Sequence, residues 1–392
     1  MKKASKSFSL VLLVSFLAMV IPQILGYLGA QVLVYSICYS VSILSLLIYY
    51  FKYKTGIKRS GPVFLLLYII TLLLPLIFNS FTGICTVDND YIDTAIKIIS
   101  TVFLFMLVPK QMKIKEYKLL FYGVSIFVVI ACLFNIFINI GDMLSITSLD
   151  NSYMVSFASF FANRNTFAMY LFVGILVANL LIRLDPARKK LLVTIITLEF
   201  VNLLFTMSRG GLLAAVIVLF PSLFEAGKKH VKLVAFVVLT GLFILASNPN
   251  ISSTFSRLVI RSDVGVSGRS ELWNEGIEYS RNTNMITGTG YYTALNTIGV
   301  NQLHSMYIDT LIDTGIIGIA IKIGFFLSSL LCIKRLKDEN NTKWVYLRAY
   351  LAVLLLGIFE SVNIFALGST EMLYTIFFIT IPQTLSDGGS HD

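Results

Sequence analysis

Charged residues are scarce in this sequence. Only 13% of its 392 residues are charged, 56% are hydrophobic, and the mean hydropathy is +0.81. Soluble globular chains carry about 25% charged residues, so the composition excludes a soluble fold. The apolar runs lack the alternation of membrane strands, and backbone groups in lipid must be paired within their own segment. We therefore predict an all-α polytopic membrane protein.

Cysteine and histidine are also rare. Four cysteines are scattered along the chain without the spacing of a disulfide framework or a metal site. Of the three histidines, His230 lies among lysines and His391 lies in a short tail, and we assign a role to neither. His304 is the one histidine that we keep as a candidate functional residue. No cofactor and no metal are expected.

Each membrane span needs about 20 mostly apolar residues. The sequence predicts twelve such helices, and we interpret residues 1–392 as a single integral membrane domain. One large connection, 248–303, separates the ninth and tenth spans, and a shorter connection, 141–163, precedes the sixth. The predicted spans are 8–28, 30–51, 62–80, 92–109, 119–139, 164–182, 191–207, 209–226, 231–247, 305–333, 344–365 and 370–385.

The lysines cluster in alternate connections between these spans. By the positive-inside rule those connections and both termini face the cytoplasm, so the connection 248–303 is extracytoplasmic. The net charge of +10 is spread over these clusters, and we therefore expect the lipid bilayer, and no nucleic acid, as a partner. The first thirty residues also resemble a signal peptide, but a second span follows at once and favours a retained helix.

Arginine is the cation of the predicted outer side, where no lysine occurs. A neutral topology signal would use either cation, whereas the planar guanidinium can bind two phosphate oxygens at once. The outer face is therefore predicted to bind an anionic headgroup. The six arginines are Arg164, Arg209, Arg257, Arg261, Arg269 and Arg281.

The stretch "TMSRGGLLAAV" places one of these arginines between two long apolar runs. Ser208 is suited to cap the helix that follows Arg209, and Gly210 and Gly211 are predicted to leave backbone N–H groups uncovered. A helix N-terminus of this kind binds anions readily. The alternative is that Arg209 extends its charge to the membrane interface without binding a ligand.

Three stretches together resemble the O-antigen ligase and polymerase superfamily of bacterial envelope enzymes. They are "SRGGLLAA", "SGRSELWNEGIEYSRNTNMITGTGYY" and "LHSMYIDTLIDTGIIGIAI", and the similarity extends over about 157–323 to include "FFANRNTFAMYL". The resemblance implies a fold similar to the membrane-embedded GT-C-like glycosyltransferases. It also implies that Arg209 and Arg269 hold the donor diphosphate and that His304 lies near the acceptor. The family usually has His-Asn at the last site, whereas Ser305 follows His304 here.

The function implied is glycosyl transfer on the outer face of the bacterial cytoplasmic membrane. Undecaprenyl diphosphate is an activated leaving group, so arginines can stabilise its developing charge without a metal while neutral His304 accepts the proton of the attacking hydroxyl. Attack opposite the diphosphate inverts the anomeric centre. We expect a polymerase that joins undecaprenyl-diphosphate-linked oligosaccharides into O-antigen or capsular polysaccharide, with a chain-length-regulating membrane protein as a further partner. The alternatives are a ligase that transfers glycan to lipid A core and a flippase.

Two acidic residues within predicted spans are further candidates, because intramembrane acids are often functional. Glu199 and Glu360 are each suited to replace His304 as the base or to pair with an arginine, and we favour the pairing. Arg164 is expected to contact a sugar or phosphate, with interface placement as the equal alternative. Arg257, Arg261 and Arg281 are expected to form a solvated loop face, from which one of them is suited to guide the anionic substrate in. Asp88 and Asp90 form a D-x-D that is a weak signal for a metal.

Overall fold

The computed structural model describes residues 2–25, 31–53, 61–106, 117–144, 157–161, 163–229, 269–335, 342–362 and 373–374. Within these ranges every regular element is a helix, which confirms the predicted all-α class. A short 3-10 helix, Pro186–Arg188, joins two of the helices. The α-helices are α1 (Lys2–Leu25), α2 (Gln31–Tyr53), α3 (Gly61–Thr82), α4 (Asp88–Met106), α5 (Lys118–Leu144), α6 (Arg164–Leu184), α7 (Lys189–Phe205), α8 (Arg209–Lys229), α9 (Arg269–Asn282), α10 (Tyr291–Ile298), α11 (Met306–Arg335) and α12 (Thr342–Phe359).

Four of the described helices are long and apolar enough to cross a membrane: Leu65–Thr82, Lys118–Leu144, Arg164–Leu184 and Met306–Lys334. Large apolar side chains lie on their outer surfaces, with Phe81 86% and Phe137 82% exposed. Such surfaces are stable in lipid and unfavourable in water, so this is an integral membrane protein. The number of twelve spans stays a prediction, since the ninth predicted span and most of the twelfth lie outside the described residues.

The chain divides into two compact units. Unit 1 comprises Met1–Pro22, Gln31–Leu120 and Val266–Asp392, and unit 2 comprises Gln23–Ala30 and Phe121–Gly265. The predicted connection 248–303 is described from residue 269 onward, where α9 and α10 belong to unit 1. These helices are shorter than the membrane requires, in keeping with their interpretation as part of a connection.

Helix α6 is the centre of unit 2. All of its residues from 170 to 181 are buried, and it packs against both α7 and α8. Aromatic side chains fill the space at its N-terminal end: the Phe161 ring stacks on Tyr170 at a centroid distance of 4.5 Å and on Phe167 at 5.6 Å. Helix α6 begins at a regular cap, because the side chain of Asn163 accepts a hydrogen bond from the N–H of Thr166. The stretch "FFANRNTFAMY" therefore anchors the N-terminal end of α6 within unit 2.

Helix α11 in unit 1 is broken at Gly315, whose φ of 66° and ψ of −166° are essentially restricted to glycine. The break interrupts the backbone ladder of the helix, and the turn 285–290 pairs with groups on both sides of it. The carbonyls of Ile312 and Asp313 accept from the N–H groups of Thr289 and Gly290, while Ile316 and Ile317 donate to the carbonyls of Met285 and Ile286. Backbone left unpaired in lipid costs several kcal/mol, so the turn is what makes this break tolerable.

Asp90 connects α4 to the N-terminus of α10. Its two carboxylate oxygens accept from the N–H groups of Tyr292 and Thr293, each at 2.8 Å. Burial raises the pKa of this carboxyl, and the two backbone N–H groups act in the opposite direction. Both oxygens are therefore occupied by a helix cap. Among the described residues no group of three or more acidic, histidine or cysteine side chains is arranged around a metal site.

Candidate functional site

Unit 1 brings three residues from separate parts of the sequence together. A guanidinium nitrogen of Arg269, Nη2, lies 3.2 Å from Oε1 of Glu360, and Nδ1 of His304 lies 3.8 Å from Oε2 of the same carboxylate. Only 6% of the Glu360 side chain is exposed, against 28% for Arg269 and 31% for His304. The buried carboxylate thus bridges an arginine and a histidine that are both accessible to a ligand. We call these three residues the unit 1 cluster.

Arg269 is oriented by two contacts. Besides Glu360, it donates from Nη1 to the carbonyl of Phe359 at 2.5 Å, at the end of α12. These contacts use two of the five N–H groups that a guanidinium carries, which leaves donors for an anionic ligand. The pairing of Glu360 with an arginine, favoured from the sequence, is confirmed. The histidine on the other oxygen was not foreseen, because 56 residues separate it from Glu360 and no local spacing links them.

The backbone fixes His304 from both sides. The carbonyl of Leu303 accepts from Nε1 of Trp273 at 2.9 Å, and the N–H of Met306 donates to the carbonyl of Glu360 at 3.1 Å. His304 itself has a φ of 53°, which is uncommon for a residue with a side chain. Backbone strain of this kind persists where the surroundings hold it and is concentrated at functional sites.

Helices α9 and α10 support the position of His304 by close packing. Gly276 in α9 lies so near α11 that a Cβ there would come within 2.8 Å of Ile308 and 2.9 Å of Leu303. Leu303 belongs to a buried cluster with Ala294 and Ile312. Trp273 contributes to this packing as the hydrogen-bond donor to the Leu303 carbonyl. Burial raises the pKa of the Tyr291 hydroxyl in α10, which therefore stays neutral at physiological pH.

Unit 2 carries the "SRGG" stretch at the start of α8. Ser208 caps this helix as predicted: its carbonyl accepts from Leu212 at 2.9 Å and its Oγ accepts a longer bond from Gly211 at 3.4 Å. The prediction that both glycines leave N–H groups uncovered is wrong for Gly211, whose N–H is bound by this cap. Gly210 and Gly211 are buried, and a Cβ at Gly211 would lie 3.1 Å from Leu203 and 3.3 Å from Ala168. The glycines thus permit close helix packing, whereas Arg209 between them and Ser208 is exposed.

The other predicted arginines fall in different settings. Arg164 is the first residue of α6 and is partly exposed. Arg281 is exposed in the last turn of α9, where it lines a polar groove with Asn274 and Glu278. Arg257 and Arg261 lie outside the described residues.

Within the described part of the chain, Glu199 has no arginine in the pairing predicted for it. It is fully buried in unit 2, and neither carboxylate oxygen has a hydrogen-bond partner among the described residues. Oε1 of Glu199 would lie 2.5 Å from a Cβ placed at Gly174. The lack of a side chain at Gly174 in α6 therefore leaves room for the Glu199 carboxyl.

Replacing Glu199 by methionine, which has a similar shape, is expected to stabilise the protein. A buried polar group without a partner costs about 1–3 kcal/mol, and the thioether removes that cost. Thermal unfolding in detergent measures the change, with Leu192→Met in the same helix as the control for a buried substitution. A lower unfolding temperature for Glu199→Met than for the control would show that the carboxyl has a partner of its own.

The unit 1 cluster has the parts of an acid-base site next to an anion site. Nδ1 of His304 faces the Glu360 carboxylate at 3.8 Å, so Nε2 is the ring nitrogen turned away from that carboxylate and suited to accept a proton. Arg269 supplies positive charge on the other side of the same carboxylate. The arrangement can therefore remove a proton from a hydroxyl while a neighbouring cation binds an anionic leaving group.

Comparison with known proteins gives a family match that includes two residues of the unit 1 cluster, Arg269 and His304. No curated protein matches the chain. Residues 192–323 match a family model described as O-antigen ligase, and this range includes Arg209, Arg269 and His304. The match supports the resemblance carried by the motifs: residues 192–323 of this chain are similar to the O-antigen ligase and polymerase superfamily.

Proposed function

We propose that this protein is an undecaprenyl-diphosphate-dependent polysaccharide polymerase of the bacterial cytoplasmic membrane, with its active site on the extracytoplasmic face. The observation that carries the proposal is the unit 1 cluster, in which one buried carboxylate holds both a histidine and an arginine. Two of the three residues lie in the part of the chain that matches the O-antigen ligase family.

The reaction proceeds by attack of an acceptor sugar hydroxyl on the anomeric carbon of the donor. The hydroxyl oxygen forms the new glycosidic bond, the bond from the anomeric carbon to the diphosphate breaks, and its electron pair stays on the leaving oxygen. His304 takes the hydroxyl proton, and Glu360 stabilises the imidazolium that results. Arg269 stabilises the charge that develops on the diphosphate. Arg209 in unit 2 is proposed separately as an anion-binding residue. Displacement on the face opposite the diphosphate inverts the anomeric centre.

The presence of exposed or partly exposed arginines in each unit favours a polymerase. A polymerase binds two lipid diphosphates at once, one on the donor and one on the acceptor, and each needs cationic partners. Unit 1 offers Arg269 and Arg281 as such partners, and unit 2 offers Arg164 and Arg209. A ligase is the second candidate, because the matching family model carries that description.

The broken helix α11 gives no support to a flippase. Transporters use such breaks to expose backbone groups to their substrate. Here the carbonyls of Ile312 and Asp313 and the N–H groups of Ile316 and Ile317 are bound by the turn 285–290.

Reconstitution in liposomes tests the proposal. Purified protein is supplied with a defined undecaprenyl-diphosphate oligosaccharide, alone or with lipid A core, and the products are separated by chain length. A ladder of longer lipid-linked glycans without lipid A core, absent for Arg209→Ala and retained for the exposed control Lys190→Met, is the expected result. Products that form only with lipid A core would identify a ligase. Movement of intact donor across the bilayer without any product would identify a flippase.

A further inference from the structure

A buried group of three charges in unit 1 lies outside the unit 1 cluster. Nζ of Lys97 lies 2.5 Å from Oδ2 of Asp93 and 2.7 Å from Oδ2 of Asp313. The lysine side chain is 6% exposed, and the carboxylates are 23% and 16% exposed. Such charges are costly to bury, so their retention in a membrane protein calls for a role.

The three charges connect α4 to α11 at a defined place. Asp93 and Lys97 are one turn apart on α4, so this acid holds the ammonium group of Lys97 in position. Helix α11 contributes the second acid, Asp313. Asp313 lies two residues before the break at Gly315. Its backbone carbonyl accepts from Gly290 in the turn 285–290, while its carboxylate binds Lys97. One residue is thus bound both to α4 and to the turn that closes the break.

The segment of α11 before the break, residues 306–314, connects this place to the unit 1 cluster. It is a short rigid helix whose first residue follows His304 and Ser305 directly, and whose first N–H is bound by the carbonyl of Glu360. A second connection runs through α10, which Asp90 of α4 caps. Helix α11 packs against α3, α9, α10 and α12, and the ion pair of Asp313 with Lys97 connects it to α4. Because a packed helix moves as a unit, the position of Asp313 bears on the position of the other end of this segment.

We propose that Lys97 is a positioning residue for the reaction: its ion pairs with Asp93 and Asp313 fix the segment 306–314 on α4 and thereby hold His304 against Glu360. The backbone hydrogen bonds hold the segment to the turn 285–290 and to Glu360, whereas the ion pairs tie it to α4, where a buried ammonium group between two carboxylates has one favourable position. The catalytic part of this inference rests on the proposed function. The structural part is that Lys97 keeps the turn 285–290 hydrogen-bonded to both sides of the break in α11, and this part does not depend on the proposed function.

Two measurements on the purified protein test the inference. Hydrogen exchange reports on the N–H groups of Thr289, Gly290, Ile316 and Ile317, with the N–H groups of α6 as an internal reference. Turnover and KM are measured with the defined lipid-linked donor. The variants are Lys97→Met, the conservative Lys97→Arg, and a neutral triple variant, Lys97→Met with Asp93→Asn and Asp313→Asn. Lys190→Met, an exposed lysine of α7, is the matched control.

Lys97→Met and the triple variant are expected to exchange faster at the four N–H groups and not in α6. Their kcat is expected to fall about 10²-fold, the size of effect that a misplacement of about 1 Å produces, with the donor KM unchanged. Lys97→Arg, which keeps the charge in a larger side chain, is expected to fall between the wild type and Lys97→Met. Lys190→Met is expected to stay close to the wild type. If Lys97→Met does not fold, the triple variant decides, because it also neutralises the two carboxylates that Lys97→Met leaves without their ammonium partner.

The inference is overturned if the triple variant keeps wild-type turnover, or if turnover falls while exchange at the break stays unchanged. Faster exchange at the break in a protein whose wild type transfers no glycan would support the structural part and contradict the proposed function instead. The two failures are therefore distinguishable.

Discussion

Replacing Glu360 by glutamine is expected to lower kcat about 10²- to 10⁴-fold while the donor KM changes little. The amide keeps the shape of the side chain but removes the charge that stabilises the imidazolium of His304. The effect belongs to the reaction step, because Arg269 keeps its contact with the Phe359 carbonyl and its charge. Steady-state kinetics with a defined lipid-linked donor measure both parameters.

A double variant makes this prediction specific. If Glu360 acts through the histidine, His304→Ala combined with Glu360→Gln is no slower than His304→Ala alone, since residues that act as one unit are not additive. Glu271→Gln, an exposed acid of α9, is the control and is expected to keep full activity. Additive losses in the double variant would contradict the role assigned to Glu360.

Replacing Gly315 by alanine is expected to destabilise the protein by more than about 4 kcal/mol. The conformation at the break is almost exclusive to glycine and costs another residue about 1–3 kcal/mol. In addition, a Cβ would overlap the turn that closes the break, where it would come within 2.6 Å of the Gly288 nitrogen and even nearer to the Ile286 carbonyl. Relief of this overlap requires the turn to move away and its hydrogen bonds to break.

Gly83→Ala is the matched control for this substitution. Gly83 also has a positive φ, 74°, but a Cβ there meets nothing within 4 Å. It is expected to cost only the backbone strain, about 1–2 kcal/mol. Unfolding temperatures in detergent compare the two variants, and equal decreases would contradict the tight docking of the turn on α11.

The helices were predictable because long apolar runs and their caps are local properties of the sequence. The predicted sixth span, 164–182, differs from α6 by two residues at one end, and Ser208 caps α8 as its position suggested. The break in α11 was missed, because "IDTGIIG" reads as an uninterrupted apolar helix. A glycine within an apolar helix is compatible either with close helix packing or with a break in the helix. A break requires a partner for the freed backbone groups, here the turn 285–290, which the local sequence does not show.

The unit 1 cluster was predictable in its members but not in its geometry. Arg269, His304 and Glu360 were all candidates, yet the sequence did not show that one carboxylate bridges the other two. The same limit explains Glu199, for which pairing with an arginine was an equally reasonable expectation. Ion pairs between residues far apart in sequence depend on how the helices pack. The spacing of residues along the sequence does not show that packing. Lys97 and Asp313 were missed for the same reason.

The most direct test of the account is release of undecaprenyl diphosphate from a defined lipid-linked oligosaccharide by the purified protein, measured together with the new glycosidic bond. The account predicts that the wild type releases one diphosphate carrier for each bond formed and that His304→Ala, folded as judged by its unfolding temperature, releases none at a comparable rate. Wild-type turnover by His304→Ala, or carrier release without a new glycosidic bond, would contradict it.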